Sequence, residues 1–251
     1  MVYTTAAITG LSSGVSYQNL SFSGTGVKTA LSGNLNINGD FTNTLANDAS
    51  NYVALSSPVV NFTGTTQSLA GGGGNGTTLY YVTFSGAGTK TMTSGGFNVA
   101  SSGVLTMSGS NAATVLAANG NLTINSDATG SGSIAAISGP AITGNVNVQR
   151  YLTGGNIAYR SYHLGSSPVY AATVSGNNVF SVNYLQNSMY LTGVAGGGFD
   201  KNGNPTLYMF LENVPPSRTS FVSGNFWGTD KINNSPTYSY SLSGTTGSGT
   251  Y

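Results

Sequence analysis

The sequence predicts an all-β chain: a right-handed parallel β-helix, or β-solenoid, followed by a smaller antiparallel or irregular β module. Three observations lead there. First, a line of text repeats: Phe22-Ser23-Gly24-Thr25-Gly26-Val27-Lys28-Thr29 returns 62 positions later as Phe84-Ser85-Gly86-Ala87-Gly88-Thr89-Lys90-Thr91. Second, a short signature of Gly-Asn or Gly-Gly followed by apolar–polar–apolar recurs at Gly33, Gly95, Gly120 and Gly144, the last three 25 and 24 residues apart. Such a unit is a turn feeding a short strand with one face toward a core, and coils of this length stack into solenoids. Third, no window of a dozen residues holds a 3.6-residue apolar period free of Gly and β-branched clusters, so helices are not expected.

Taken in order, the strands of the first region are Tyr17–Phe22, Asn34–Ile37, Tyr52–Leu55, Val59–Phe62, Leu79–Phe84, Phe97–Val99, Val104–Met107, Asn121–Ile124 and Asn145–Tyr151. Each carries β-branched, aromatic or alternating apolar residues, and Gly, Ser, Asn and Asp clusters separate them as turns. Residues 1–150 hold six or seven coils. Leu35, Ile37, Phe97, Val99, Leu122, Ile124, Val146 and Val148 should point inward in stacked columns, because residues two apart share a face.

The text changes near Arg150. Residues 151–251 contain the only His, Glu and Trp, and most of the tyrosines. The repeat stops and the strand candidates lengthen: Ile157–His163, Val169–Val174, Val179–Leu185, Ser188–Leu191, Thr206–Leu211 and Ser217–Val222. This is a second β-rich module that caps or continues the solenoid, since an open coil end needs cover. Alternation runs through Asn145–Leu152 without Pro or a charge run, which predicts a docked junction rather than a flexible linker.

Composition narrows the function classes. Charged residues are 5% of the chain and the net charge is +1, so no basic stripe exists to hold nucleic acid or an anionic membrane. Hydrophobic residues are nevertheless 39%, enough for a folded core, so low charge here does not mean disorder. With no cysteines, disulfides and thiolate metal sites are excluded. No apolar stretch approaches the roughly 20 residues of a membrane span, so membrane insertion is not expected. The start lacks the basic and apolar regions of an export signal and the end reads like mid-chain text. The expectation is a segment of something longer.

Two phrases carry a family resemblance. One is Asn61-Phe62-Thr63-Gly64-Thr65-Thr66-Gln67-Ser68-Leu69, then Tyr80-Tyr81-Val82-Thr83-Phe84-Ser85-Gly86-Ala87-Gly88-Thr89-Lys90-Thr91. The other is Gly144-Asn145-Val146-Asn147-Val148-Gln149-Arg150-Tyr151-Leu152, continuing to Arg160, Ser166-Ser167-Pro168-Val169 and Gly198-Phe199-Asp200-Lys201-Asn202-Gly203-Asn204-Pro205. Over residues 15–210 this order resembles the β-helical stretches of adhesin-type surface proteins of Bacteroidota that leave by the type IX secretion system. The resemblance implies an extracellular, cell-surface location. The C-terminal sorting domain of that family is not visible in this chain.

Candidate chemistry is sparse. Lys28 and Lys90 occupy equivalent repeat positions and read as solvated turn residues that discourage edge pairing, rather than a basic row for an anionic glycan. Asp200, Asn202 and Asn204 place oxygen ligands at alternate positions, the opening of a calcium loop. An EF-hand would need Gly and Glu where Pro205 and Leu211 stand, and Asn202-Gly203 also reads as a hairpin turn. His163, near Tyr159, Arg160 and Tyr162, lacks a serine elbow or a paired acid. The six acids are Asp40, Asp48, Asp127, Asp200, Glu212 and Asp230. A hydrolase needs paired carboxylates at a set separation; Asp40 and Asp48 could meet on adjacent turns, but no third acid follows at coil spacing. The aromatics of residues 151–251, Trp227 among them, are a candidate sugar-stacking platform, with core packing as the simpler reading. These readings predict a non-enzymatic extracellular structural or adhesive segment of a larger bacterial cell-surface or filament-forming protein. Catalytic residues and cofactors are not expected, calcium aside. Its partners would be copies of itself, neighbouring domains of a longer chain, or glycans. The alternatives are a polysaccharide-active β-helix enzyme, lyase or hydrolase, and a glycan-binding module.

Overall fold

In the computed structural model, which describes residues 2–3, 16–28, 33–46, 48–108, 113–153, 185–186, 188–193, 195–210, 222–223 and 226–228, the chain is all-β. It divides into two compact units, Met1–Ser161 and Tyr162–Tyr251. The first unit winds back and forth between two parallel sheets. One sheet is built from β1 (Val2–Tyr3), β3 (Leu20–Phe22), β5 (Phe41–Asn43), β7 (Gln67–Ala70), β9 (Gly88–Ser94), β11 (Thr114–Ala117) and β16 (Ala141–Thr143), in that spatial order. The other is built from β2 (Ser16–Tyr17), β4 (Leu35–Ile37), β6 (Ala54–Phe62), β8 (Thr77–Phe84), β10 (Phe97–Met107), β12 (Leu122–Ile124) and β17 (Val146–Val148). Successive strands of the chain alternate between the sheets, which is the winding of a β-solenoid. About five full turns, from β3–β4 to β11–β12, carry the core. The short pairs β1/β2 and β16/β17 extend the ladders at either end.

Periodicity two explains the core. Strands β3, β4, β5 and β12 alternate buried, half-buried, buried, so every second side chain enters the space between the sheets. Five phenylalanines meet there. Phe41 of the first sheet touches Phe22 at 5.6 Å, Phe62 at 6.0 Å and Phe97 at 5.8 Å between ring centroids. Phe62 and Phe84 lie parallel on adjacent turns at 5.1 Å.

The second sheet bends. β6 pairs with β8 through Ala54–Leu55 and again through Val59–Phe62, with a register shift between. β10 does the same through Phe97–Val99 and Val104–Met107. The sheet therefore has two arms, and the predicted stacked columns of inward residues are divided between them. Phe97 stacks on Leu122 and Val146, and Val99 on Ile124 and Val148, all in the first arm. Leu35 and Ile37 stack instead on Val60 and Phe62 in the second arm. The inward direction predicted for all eight residues agrees with their burial: six are core, and Val146 and Val148 are half-buried against it. The eight do not share one place around the coil.

Three short strands leave the winding: a hairpin of β13 (Ser126–Asp127) and β14 (Gly130–Ser131), and β15 (Ser133–Ile134), which pairs with the second arm of β10. In the second unit, β18 (Thr192–Gly193) pairs in parallel with β19 (Lys201–Asn202). A three-stranded antiparallel sheet is made by β20 (Tyr208–Phe210), β22 (Phe226–Gly228) and β21 (Val222–Ser223).

Candidate functional site: the coil corners and the outer face of the bend

The sequence repeat is a corner, not a coil. Phe22 belongs to the first sheet and Phe84 to the second, so the two copies occur at different corners of the winding. What they share is local geometry. An inward Phe ends a strand, and two glycines with positive φ follow: Gly24 at 79° and Gly26 at 83°, Gly86 at 72° and Gly88 at 102°. The backbone turns, and the lysine folds inward. An L side chain rarely adopts that φ. A Cβ on Gly88 would also lie 2.0 Å from the Thr65 carbonyl oxygen on the preceding turn.

Lys28 and Lys90 are both 0% exposed, which corrects the reading of solvated turn residues. Lys28 Nζ donates to the Thr25 carbonyl at 2.6 Å. Lys90 Nζ donates to the carbonyls of Gly86 at 2.5 Å and Gly88 at 3.5 Å. A tight turn strands its carbonyls away from the ladder, and a buried polar group must find a partner. A long cationic side chain returning from three or four residues on supplies one. The same corner holds Gln67 one turn below and Thr114 one turn above. Gln67 Nε2 donates to the carbonyls of Ile37 and Gly39, and Thr114 Oγ1 donates to Gly86. Elsewhere Asn43 Nδ2 serves Gly71 O and Thr77 Oγ1. Desolvation lowers the pKa of both lysines from the ordinary value. Sequence reasoning missed this inner polar row. The signal was present, because Lys28 and Lys90 sit at the alternation parity of the inward residues.

The acids are spent on turns. Asp48 Oδ1 accepts from the N–H groups of Ser50 and Asn51, each at 2.8 Å. Asp40 Oδ1 accepts from Ser68 N on the next turn at 2.7 Å. Asp127 accepts from Ser101 Oγ at 2.6 Å and from Thr129 N at 2.7 Å. Those donors, the Ser101 hydroxyl first, hold its pKa down at about 2. Among the described residues no three His, Cys, Asp or Glu side chains gather as metal ligands.

Of the predicted calcium ligands, Asp200 turns Oδ2 to Leu191 N at 2.7 Å. Asn202 lies in β19, and the backbone carbonyl of Asn204 accepts from Thr192 Oγ1 at 2.5 Å. The expected Asn202-Gly203 hairpin is replaced by an arch: Lys201 and Asn202 pair in parallel with Thr192 and Gly193. His163, Tyr159, Arg160, Tyr162, Glu212 and Asp230 lie outside the described residues, whereas Trp227 pairs with Met209 and Val222.

The outer face of the second sheet has its own pattern. Along β8 the alternation breaks once, at Tyr80 and Tyr81, which are consecutive and both outward at the bend. Tyr81 is 44% exposed. In register with it stand Val59 below and Val104 above, both half-buried. On one side runs the ladder Asn36, Asn61, Thr83, Thr106, in which Asn61 Nδ2 donates to Asn36 Oδ1 at 2.8 Å. On the other side runs Thr78, Asn98, Thr123, Asn147. None of these side chains carries a formal charge.

The fold and these features define the class, a two-sheet parallel β-solenoid with an uncharged outer face on its bent sheet. Compared with protein-family models, with curated proteins and with solved structures, the chain matches none. Among the described residues no helix is long and apolar enough to cross a membrane.

Proposed function

We propose that this chain is a non-enzymatic extracellular segment, structural and adhesive, of a larger bacterial cell-surface or filament-forming protein. Export by the type IX route is part of the same proposal and rests on the family resemblance. One observation carries the reading: among the described residues the carboxylates and the lysines of the repeat are consumed by the architecture. The described carboxylates accept from donors of the turns and of neighbouring strands, and the lysines of the repeat are inside. Acid–base cleavage of a polysaccharide needs a carboxylate pair, or a basic proton acceptor, open to the substrate. A solenoid instead extends the chain and repeats weak contacts, whose combined strength comes from avidity. Calcium at Asp200, Asn202 and Asn204 would brace the second unit without altering that role.

Two experiments test the proposal. Antibody raised against the chain should label intact cells of the producing bacterium, and protease added outside should remove the label. Incubation with neutral and acidic polysaccharides should release no new reducing or unsaturated ends. Cleavage abolished by Asp40→Asn or Asp48→Asn would replace the structural reading with an enzymatic one.

A further inference from the structure

We infer that the bend of the second sheet, centred on Tyr81, docks an uncharged polysaccharide strand laid along the coil axis. The inference rests on the adhesive reading and gives it a surface and a ligand chemistry. The apolar element is a ridge, not an isolated ring: Val59, Tyr81 and Val104 are in register on three successive turns, about 4.8 Å apart. Tyr80 widens it on the same strand. The flanks are amide and hydroxyl ladders on both arms, able to donate and accept. A pyranose ring presents the matching chemistry, an apolar C–H face that lies on an aromatic ring and a rim of hydroxyls that exchange hydrogen bonds.

Charge selects among polymers. An anionic chain would call for exposed cations, yet Lys28 and Lys90 are buried and no residue of the ridge or its flanking ladders is charged. A cationic chain would call for carboxylates, and those of the coils are held in turns. One carboxylate borders the bend, Asp127, which accepts from Ser101 and Thr129; along the ridge and its ladders a neutral chain covers no formal charge. The ladders repeat along the axis, so the strand would contact several turns at once, and a weak single contact becomes a useful one. Tyr81 stands on the outer face, outside the core between the sheets, so its removal should leave the fold intact.

Affinity electrophoresis of the full chain provides the test, in gels containing mixed-linkage β-glucan, galactomannan or alginate. The expected result is retardation in at least one of the two neutral gels and none in alginate, unchanged by added salt. Tyr81→Ala should weaken the retardation about tenfold or more, as expected for a central aromatic anchor. Thr83→Lys should weaken it too, while Tyr190→Ala, an exposed tyrosine of the second unit, should not. Circular dichroism should give the same spectrum for Tyr81→Ala as for the parent, showing that the coils are retained. Retardation that survives Tyr81→Ala overturns the assigned surface while leaving the adhesive reading standing. Absence of retardation in both neutral gels, or retardation by alginate that salt abolishes, overturns the ligand chemistry. Failure of surface labelling on intact cells would be the separate failure of the adhesive reading.

Discussion

Lys90 shows how one residue can be misjudged from its chemistry and recovered from its position. An ammonium group is expected on the surface, yet here it replaces water for the carbonyls of its own turn. Its neighbours in register are Gln67 and Leu116, neither of them charged. Burial lowers its pKa from 10.5. Between the lowered value and 10.5 the unfolded chain binds more protons than the folded one, so stability rises with pH across that window. Lys90→Met removes this dependence at similar volume. The urea midpoint of the parent minus that of Lys90→Met should increase from neutral to alkaline pH, and a flat difference would show that the amine is solvated. Asp127 has the same slope for the opposite reason, since hydrogen bonds favour its charged form. Its pKa falls from 3.8 to about 2, so its contribution is present above 3.8 and is lost as pH falls toward about 2. Asp127→Asn should therefore be least harmful in acid. Acid titration of both proteins by circular dichroism checks this, and parallel curves would refute it.

At the scale of elements, the repeated phrase builds a turn that can be placed at any corner. Its two positive-φ glycines and its inward lysine act together, and the Gly88→Ala variant isolates the backbone part. Strain at that φ costs about 1–3 kcal/mol, and the contact with Thr65 O adds to it, so chemical denaturation should show a loss at or above that range. A loss below it would mean that the corner relaxes freely. The strands depend on the phenylalanine stack. Phe62 is fully buried between Phe41 and Phe84, and Phe62→Ala should cost about 3–5 kcal/mol, measurable by the same denaturation. The register shifts in β6 and β10 are elements in their own right. They bend the second sheet and place Tyr80 and Tyr81 outward together. Without that bend, strict alternation would send one of the two tyrosines into the core.

In the described coils, stability comes from ladder hydrogen bonds and apolar burial, with Lys28, Lys90, Asp40, Asp48 and Asp127 at turns and corners. Only 5% of residues are charged, so the thermal midpoint of the chain should move little between low and high salt, since screening acts on exposed charges. A large salt-dependent shift would reveal ion pairing that the described residues do not account for. Under the proposed adhesive role, contacts of this surface with a neutral ligand should be similarly indifferent to ionic strength.

The sequence by itself determined the all-β class, the coil length and the inward set, because alternation and turn glycines are local properties. Leu122, Ile124 and Gly120 announce their strand and turn without reference to anything distant. Tertiary structure decided which strand stacks on which. Leu35 resembles Phe97 in its local text, yet it pairs with Val60 and stands on the other arm. The reason is physical: the 62-residue offset is not a whole number of coils, and register follows the winding rather than the wording. Tertiary structure also decided the fate of Lys28 and Lys90. A lysine's burial depends on carbonyls that the turn leaves stranded inside, and that geometry exists only once the coil has closed.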